Sequence, residues 1–466
     1  MSSDSTGSEP QYPFLVKVRR SLARRFPRTR IGLNVARARL EHSARLARGV
    51  LGRMRARRAG ATLAWVRATL RHLLAQRREP RLTVAVEISA FWEPLTGIGW
   101  YLYRLLEHLA EREDLRIRLY GPSIIASPDL PPPTVAPPAG PAIERLLLEV
   151  PDDLLLPRGL LLLLLRRLEP LLIALHGNEV LFAPNYVLPR RFVLAQGARV
   201  ATVHDLGLRK VPWTLRPETL RDLTEKLEHS LYEASRLISV SATVRDELAA
   251  LDYSAPERVT VVHHGPGQLA EVEPGTVPPS TPESYGLHVG TLEPRKNILA
   301  LLEAWRLLRG RLKGAPSLVL CGRLGWKSER IRAAVHTACR EGWLVHLGYV
   351  RDVELSALYR GASIVVFPSL YEGFGLPAVE AHQAGAPLVC SDIPALREVA
   401  GDAALFAPAD RPSQLAAAIE RVLTDEELRK GLVERGRQRS AQLSWQRAAE
   451  RTARVWSSAA GRETAA

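Results

Sequence analysis

Cysteine is scarce in this 466-residue chain. Cys321, Cys339 and Cys390 are irregularly spaced, too few for a disulfide framework or a zinc site, so they read as buried reduced thiols and imply a cytosolic setting. Long apolar runs are missing as well. Leucine runs such as Leu160 to Leu165 are cut by Arg166 and Arg167, far short of the roughly 20 residues a membrane-spanning helix needs. No Asp-x-Asp suited to a divalent ion occurs and the scattered histidines lack zinc spacing, so neither a metal nor another cofactor is expected. Acidic residues are rare at one end: residues 1–80 carry 4 of the 49 Asp and Glu but 19 of the 64 Lys and Arg. That arm holds the whole net charge of +15 and leaves the rest neutral, which is not the pattern of a protein built around nucleic acid.

Within the arm, Leu40, Ala44, Ala47, Leu51 and Met54 form one apolar stripe at helical spacing, and Leu63, Val66, Leu70, Leu73 and Leu74 form a second. Arginines such as Arg45, Arg48, Arg67 and Arg71 flank or oppose them. Basic amphipathic helices of this kind suit an anionic membrane surface, which would make the protein peripheral at the inner face of the plasma membrane. Nucleic acid, whose phosphates also attract arginine, and a solvated extension with no partner are the competing readings. A secretory signal is not expected, since no uninterrupted apolar core or small-residue cleavage pattern is present.

From residue 81 the composition becomes that of an α/β protein. Strands are expected at 82–88, 180–184, 199–204, 236–240 and 259–263. After a Pro-rich linker, a second set is expected at 285–289, 317–321, 344–347, 363–367, 387–390 and 404–406. Helical stretches between them imply βαβ units and two parallel sheets. The Pro-rich span 127–141 reads as an exposed loop, 146–175 as one or two short helices with a large apolar face, and 425–460 as a closing helical segment. The expected divisions are an arm at 1–80, a first domain at 81–268, a linker at 269–283, a second domain at 284–440 and a closing helix at 441–466.

The stretch 368–380, PSLYEGFGLPAVE, carries the most chemical information. It follows the apolar run SIVVF and opens a helix, with Pro377 expected at the first helical position. Gly373 and Gly375 leave the preceding turn without side chains, and the free N–H groups of a helix start make an anion site in outline. Two carboxylates, Glu372 and Glu380, bracket it with seven residues between them. A second string, HVGTLEPRKN at 288–297, follows a strand and supplies Arg295 and Lys296 as adjacent cations. A glycine turn with Gly97 and Gly99 opens a helix after the first strand, and His204 ends another strand, where open α/β sheets bind ligands.

The string E-G-F-G-L-P-x-x-E closely resembles the E-x7-E signature of the retaining glycosyltransferases of family four, which have the GT-B fold of two Rossmann-like domains facing across a cleft. The resemblance extends over roughly 82–456. It implies that Glu372 holds hydroxyls of the donor sugar, that Glu380 binds the ribose, and that the backbone of Gly373, Phe374, Gly375 and Leu376 meets the diphosphate. It further implies that Lys296, with Arg295, carries phosphate charge and that His204 lies beside the transferred sugar. Gly97 and Gly99 would lie near the donor phosphates, Gly322 and Arg323 near the nucleotide, and Tyr349 and Val350 at the base. Many relatives have an arginine directly after the loop glycine; here that residue is Thr291, and Arg295 is the nearest substitute. GTLEPRKN and HDL look most like bacterial mannosyl- and rhamnosyltransferases of surface polysaccharide synthesis. The expectation is a metal-independent, retaining transferase moving a hexose, with GDP-mannose as first donor, to a lipid-linked or polysaccharide-precursor acceptor. The alternatives are a non-catalytic scaffold on membrane or nucleic acid, and a nucleotide-sugar epimerase.

Overall fold

The computed structural model describes residues 80–462, apart from 94, 96, 123–131, 146–157, 252–255 and 268–271, together with 64, 65, 67 and 68. Side chains of 145 and 158–166 are not among those described. Every residue of the two arm stripes, and with them the expected membrane contact, lies outside the described residues.

Two parallel sheets form the frame. The first has seven strands, β1 (Leu82–Glu87), β2 (Leu115–Tyr120), β3 (Ile143–Arg145), β4 (Val180–Ala183), β5 (Ala198–Val203), β6 (Arg236–Ser239) and β7 (Val259–Val261), in the order β3-β2-β1-β4-β5-β6-β7. The second has six, β8 (Tyr285–Val289), β9 (Ser317–Cys321), β10 (Leu344–Gly348), β11 (Ile364–Phe367), β12 (Leu388–Ser391) and β13 (Ala404–Ala407), in the order β10-β9-β8-β11-β12-β13. Each order reverses beside its first strand. Such switch points open a crevice at the carboxyl ends of the strands, where α/β sheets take ligands.

Strands covered on both faces need apolar residues at successive positions, and all four residues of Ile364–Phe367 are buried for that reason. β2 was not among the expected strands. Its sequence LRIRLY puts arginines at two of six positions, yet Arg118 is fully buried. Glu144 pairs with it at 3.1 Å, and the His176 carbonyl and the Asn178 side chain each accept from it at 3.0 Å. Paired this way, the charge is tolerated inside.

The helices of the first domain are α1 (Gly97–Leu109), α2 (Arg158–Leu175), the short α3 (Gly207–Lys210), α4 (Pro217–Glu233) and α5 (Ala242–Ala249). Those of the second are α6 (Ile298–Arg311), α7 (Glu329–Arg340), α8 (Asp352–Gly361), α9 (Leu376–Ala384), α10 (Pro394–Ala400), α11 (Pro412–Thr424) and α12 (Glu426–Ala441), followed by α13 (Trp445–Ala459). Several expectations change in detail. Helix α1 already begins at Gly97, so Gly97 and Gly99 lie in its first turn and not in a loop before it. Among the described residues, the Leu-rich segment holds one 18-residue helix, with Pro170 inside it. Pro377 is the second residue of α9, after Leu376, a position where its missing N–H is equally harmless. The closing segment is two helices, because Ser444 accepts from the Arg447 N–H and caps a new start. Helix α13 returns to the first domain, where Trp445, Ala449 and Trp456 share a core with Val84, Leu102 and Phe182. Among the described residues, no helix is long and apolar enough to cross a membrane.

Candidate active site

The site is built where the loop after β8 meets the loop after β11. Gly290 leaves β8 at φ 146°, and Pro294–Lys296 forms a single 3-10 turn. Asn297 follows in the left-handed region, and its amide donates to the carbonyls of Pro368 and Ala409 at 3.1 and 2.7 Å. The Leu370 N–H donates to the Arg295 carbonyl at 2.8 Å, so the two loops are laced backbone to backbone. Their side chains then converge. Lys296 Nζ donates to Glu372 Oε1 at 2.6 Å, and Arg295 meets Glu372 Oε2 at 2.9 Å. Arg295 also reaches the Tyr371 carbonyl at 3.1 Å and Glu293 at 3.0 Å. It thus stands beside Lys296 on the buried carboxylate, while Thr291 is exposed.

Burial alone would raise the Glu372 pKa, but Arg295 and Lys296 outweigh it and bring it down to about 2. Burial also works against the charge on Lys296 and lowers its pKa, with Glu372 opposing the fall. For Arg295 burial is outweighed by Glu372, Asp205 and Glu293, and its pKa stands above the usual value. One ionised carboxylate therefore holds two cations in a nearly dry site. An incoming anion that takes over those cations meets charges already oriented and largely desolvated.

The first domain faces this cluster through the segment after β5. His204 Nε2 donates to the Pro184 carbonyl at 2.8 Å, and burial lowers the pKa of the ring, so the imidazole is neutral with Nδ1 as its acceptor. The charge of Asp205 is felt by Arg295. Gly97 is exposed, and the space beside it is open.

Packing and backbone geometry demand two glycines in the loop before α9. A Cβ on Gly373 would collide with the His204 carbonyl oxygen, and one on Gly375 would strike Leu396. Gly373 thus lets the two domains touch, and Gly375, at φ 101°, caps α9. Neither leaves side-chain space for a ligand in this arrangement. Phe374 is buried with its ring 4.8 Å from His264, and Leu376 packs on the same interdomain cluster, so both side chains are taken up by packing.

Glu380 stands apart from the cation cluster. It is buried on α9, accepts from the Tyr359 hydroxyl at 2.8 Å, and is pushed up to about 7 by burial. Gly267 packs so closely on it that a Cβ there would collide with the Glu380 methylene. A cavity of about 360 Å³ between α8, α9 and α12 is lined by Glu380 and by Arg360, Gln383 and Arg437, not by the cation cluster. On the far edge, Gly322 at φ 138° packs so closely on Gly290 that a Cβ would collide with its carbonyl. Arg323 lies over the exposed Tyr349 ring at 5.1 Å, and Val350 is half-buried beside it.

Residues that the sequence did not single out complete the site. His288 is fully buried; its Nδ1 donates to the Val366 carbonyl at 3.0 Å, which leaves Nε2 as a bare acceptor near Gly290 and Lys296 with no partner. Burial lowers its pKa to about 4, so it adds no charge. It sits two residues before Gly290, and that proximity was its only sequence signal. Tyr371 accepts from the Leu206 N–H at 2.9 Å and donates to Glu247 at 2.6 Å, joining the domains immediately beside Glu372.

Residues 276–439 match the family described as glycosyl transferases group 1, and residues 95–265 match glycosyltransferase family 4. The chain is 34% identical over 384 residues to O-antigen chain mannosyltransferase B of Escherichia coli, covering 77% of this chain and 95% of that protein. Among solved structures, a sucrose-phosphate synthase from Thermosynechococcus elongatus superimposes with a TM-score of 0.61 at 22% identity, over 81% of this chain and 99% of that one. HepE of Anabaena, solved with UDP and glucose, gives a TM-score of 0.57 at 16% identity, over 81% and 100%. At these identities the two structures share the fold.

Proposed function

This chain belongs to the family 4 glycosyltransferases and has the GT-B fold, and from that premise we propose that it transfers mannose from GDP-mannose to a polysaccharide precursor with retention of configuration and without a metal ion. The observation that carries the reading is the convergence of Arg295 and Lys296 on the buried carboxylate of Glu372, beside the His204–Asp205 segment of the first domain. In this reading the donor diphosphate takes the two cations, Glu372 turns to the sugar hydroxyls, and Glu380 accepts from the ribose. The cations then stabilise the charge that develops as the diphosphate leaves. A donor phosphate oxygen takes the acceptor proton on the same face, which requires no protein base. His204 Nδ1 accepts from a sugar hydroxyl. The mannosyltransferase relative, matched over 95% of its length, supports the choice of sugar and acceptor class. The basic residues 1–80 bring the protein to an anionic membrane carrying a lipid-linked acceptor.

The test is a donor screen by nucleotide release with GDP-mannose, UDP-glucose and a dTDP-hexose, run with and without EDTA, and with the product anomer read by NMR. GDP release from GDP-mannose, unaffected by EDTA and yielding an α-linked product, is expected. Release from another donor alone, an inverted product, or activity lost with EDTA overturns the corresponding part of the reading.

A pH dependence follows from Glu380. Its folded pKa of about 7 lies above the ordinary 4.5, so the fold favours the protonated form. The stability this confers is complete below about pH 4.5 and is lost as pH rises through 7. Ribose hydroxyls need the carboxylate, so nucleotide affinity should weaken by up to about tenfold per unit as pH falls below 7. Calorimetry at pH 6.5 in buffers of different ionisation enthalpy should register proton release on GDP binding, and Glu380→Gln should abolish it.

A further inference from the structure

One short helix of the first domain grips the donor loop at both ends. Ser241, the N-cap of α5, is fully buried; its Oγ accepts from the Val244 N–H at 3.1 Å and donates to the Gly373 carbonyl at 2.6 Å. The next residues all donate to Glu398 of α10: the Ala242 N–H at 2.7 Å, the Thr243 N–H at 2.9 Å and Thr243 Oγ1 at 3.0 Å. His263 Nε2 gives Glu398 a fourth donor at 2.8 Å. Towards the other end, Glu247 accepts from the Tyr371 hydroxyl at 2.6 Å. Residues 371 and 373 are thus tied to α5 on either side of Glu372. Between these ties, Val244 and Leu248 share an apolar cluster with Phe374, Val379 and Val399 of the second domain.

Glu398 is the only member of this arrangement whose ionised carboxylate satisfies the otherwise unpaired N–H groups of a helix start in the opposite domain. Burial opposes its charge, yet the four donors bring its pKa to about 2. Nothing in its position touches Lys296, Arg295 or Glu372 directly. Its influence on them runs through α5.

We propose that Glu398 is a positioning residue for transfer: seated on the start of α5, it sets the register in which that helix holds Tyr371 and Gly373, and with them Glu372, against the first domain. The proposal rests on the transferase reading for its kinetic consequence but not for its structural one. Hydrogen bonds to charged groups are individually strong, and Glu398→Gln turns an amide N–H₂ toward donors that need an acceptor. The domains should then part more readily, so that the His204–Asp205 segment faces the cation cluster less often.

The experiment is Glu398→Gln in the full chain, read by small-angle scattering and by transfer kinetics, with Thr243→Val as a milder variant and Asp392→Asn as control. Asp392 pairs with Arg397 within the second domain alone, on an exposed surface. Expected are a larger radius of gyration and a kcat/KM fall of about 10- to 100-fold for Glu398→Gln, a smaller fall for Thr243→Val, and no change for the control. Glu398→Asp should restore part of the loss. If Glu398→Gln does not fold, Thr243→Val decides alone, because it removes one donor and leaves the carboxylate paired. Wild-type scattering together with wild-type kinetics in the folded variants overturns the proposal. A wild-type protein that transfers from no donor defeats the transferase reading, while scattering still decides the role of Glu398.

Discussion

Replacing Lys296 by alanine should lower turnover by about 10²- to 10³-fold while the protein stays folded, the loss typical of removing one preorganised charge from a transition state. The fold survives because Glu372 is not orphaned: Arg295 remains 2.9 Å from its other oxygen. The turnover does not survive, because Arg295 is shared with Glu293 and the Tyr371 carbonyl, whereas Lys296 is committed to Glu372 and to the Phe367 ring 4.8 Å away. Lys296 is therefore the cation an arriving diphosphate can claim at least cost to the surrounding structure. Circular dichroism and a thermal melt establish the fold, and steady-state nucleotide release gives the rate. Near-normal transfer by the folded variant would remove Lys296 from the machinery.

Glu372→Ala should lose both activity and stability. It leaves Lys296 and Arg295 side by side in a nearly dry site with their shared counter-charge gone. Removing one partner of a buried pair costs about 3–5 kcal/mol, because an uncompensated charge stays inside. The melting temperature should therefore fall well below that of Lys296→Ala, although each variant removes one end of the same contact. The acid limb separates them further. The Glu372 pKa is lowered from 4.5 to about 2, so its contribution is present above about pH 4.5 and is lost as pH falls toward 2. Denaturant titrations across that window should show wild-type stability falling more steeply than that of Glu372→Ala. Parallel curves would mean that the carboxylate is not held by the cations.

The sheets were legible because burial on both faces writes itself as unbroken apolar runs, as in IVVF of β11 or LVLC within β9. β2 was not legible. Its arginines are solved by partners at 144, 176 and 178 that no local pattern reveals. The cation cluster was readable as two strings, EPRK and YEGFGLPAVE, but only the fold shows that they close on each other through a carboxylate. The glycines were read from their freedom, whereas Gly373 answers to a carbonyl in the other domain. Glu398 carries no local mark at all: its donors lie 135, 155 and 156 positions away, and an acidic residue on a short helix looks like any solvated one.

The return of α13 makes the first domain a product of both halves of the gene order. Trp456 is fully buried against Phe182, with ring centroids 5.1 Å apart, and Trp445 lies 6.1 Å from Tyr101. During synthesis, then, the domain that emerges first lacks part of its core until the ribosome has delivered the second, which carries its own core and can assemble meanwhile. A product cut short before Trp445 should therefore lose part of the first domain's core while the core of the second stays whole.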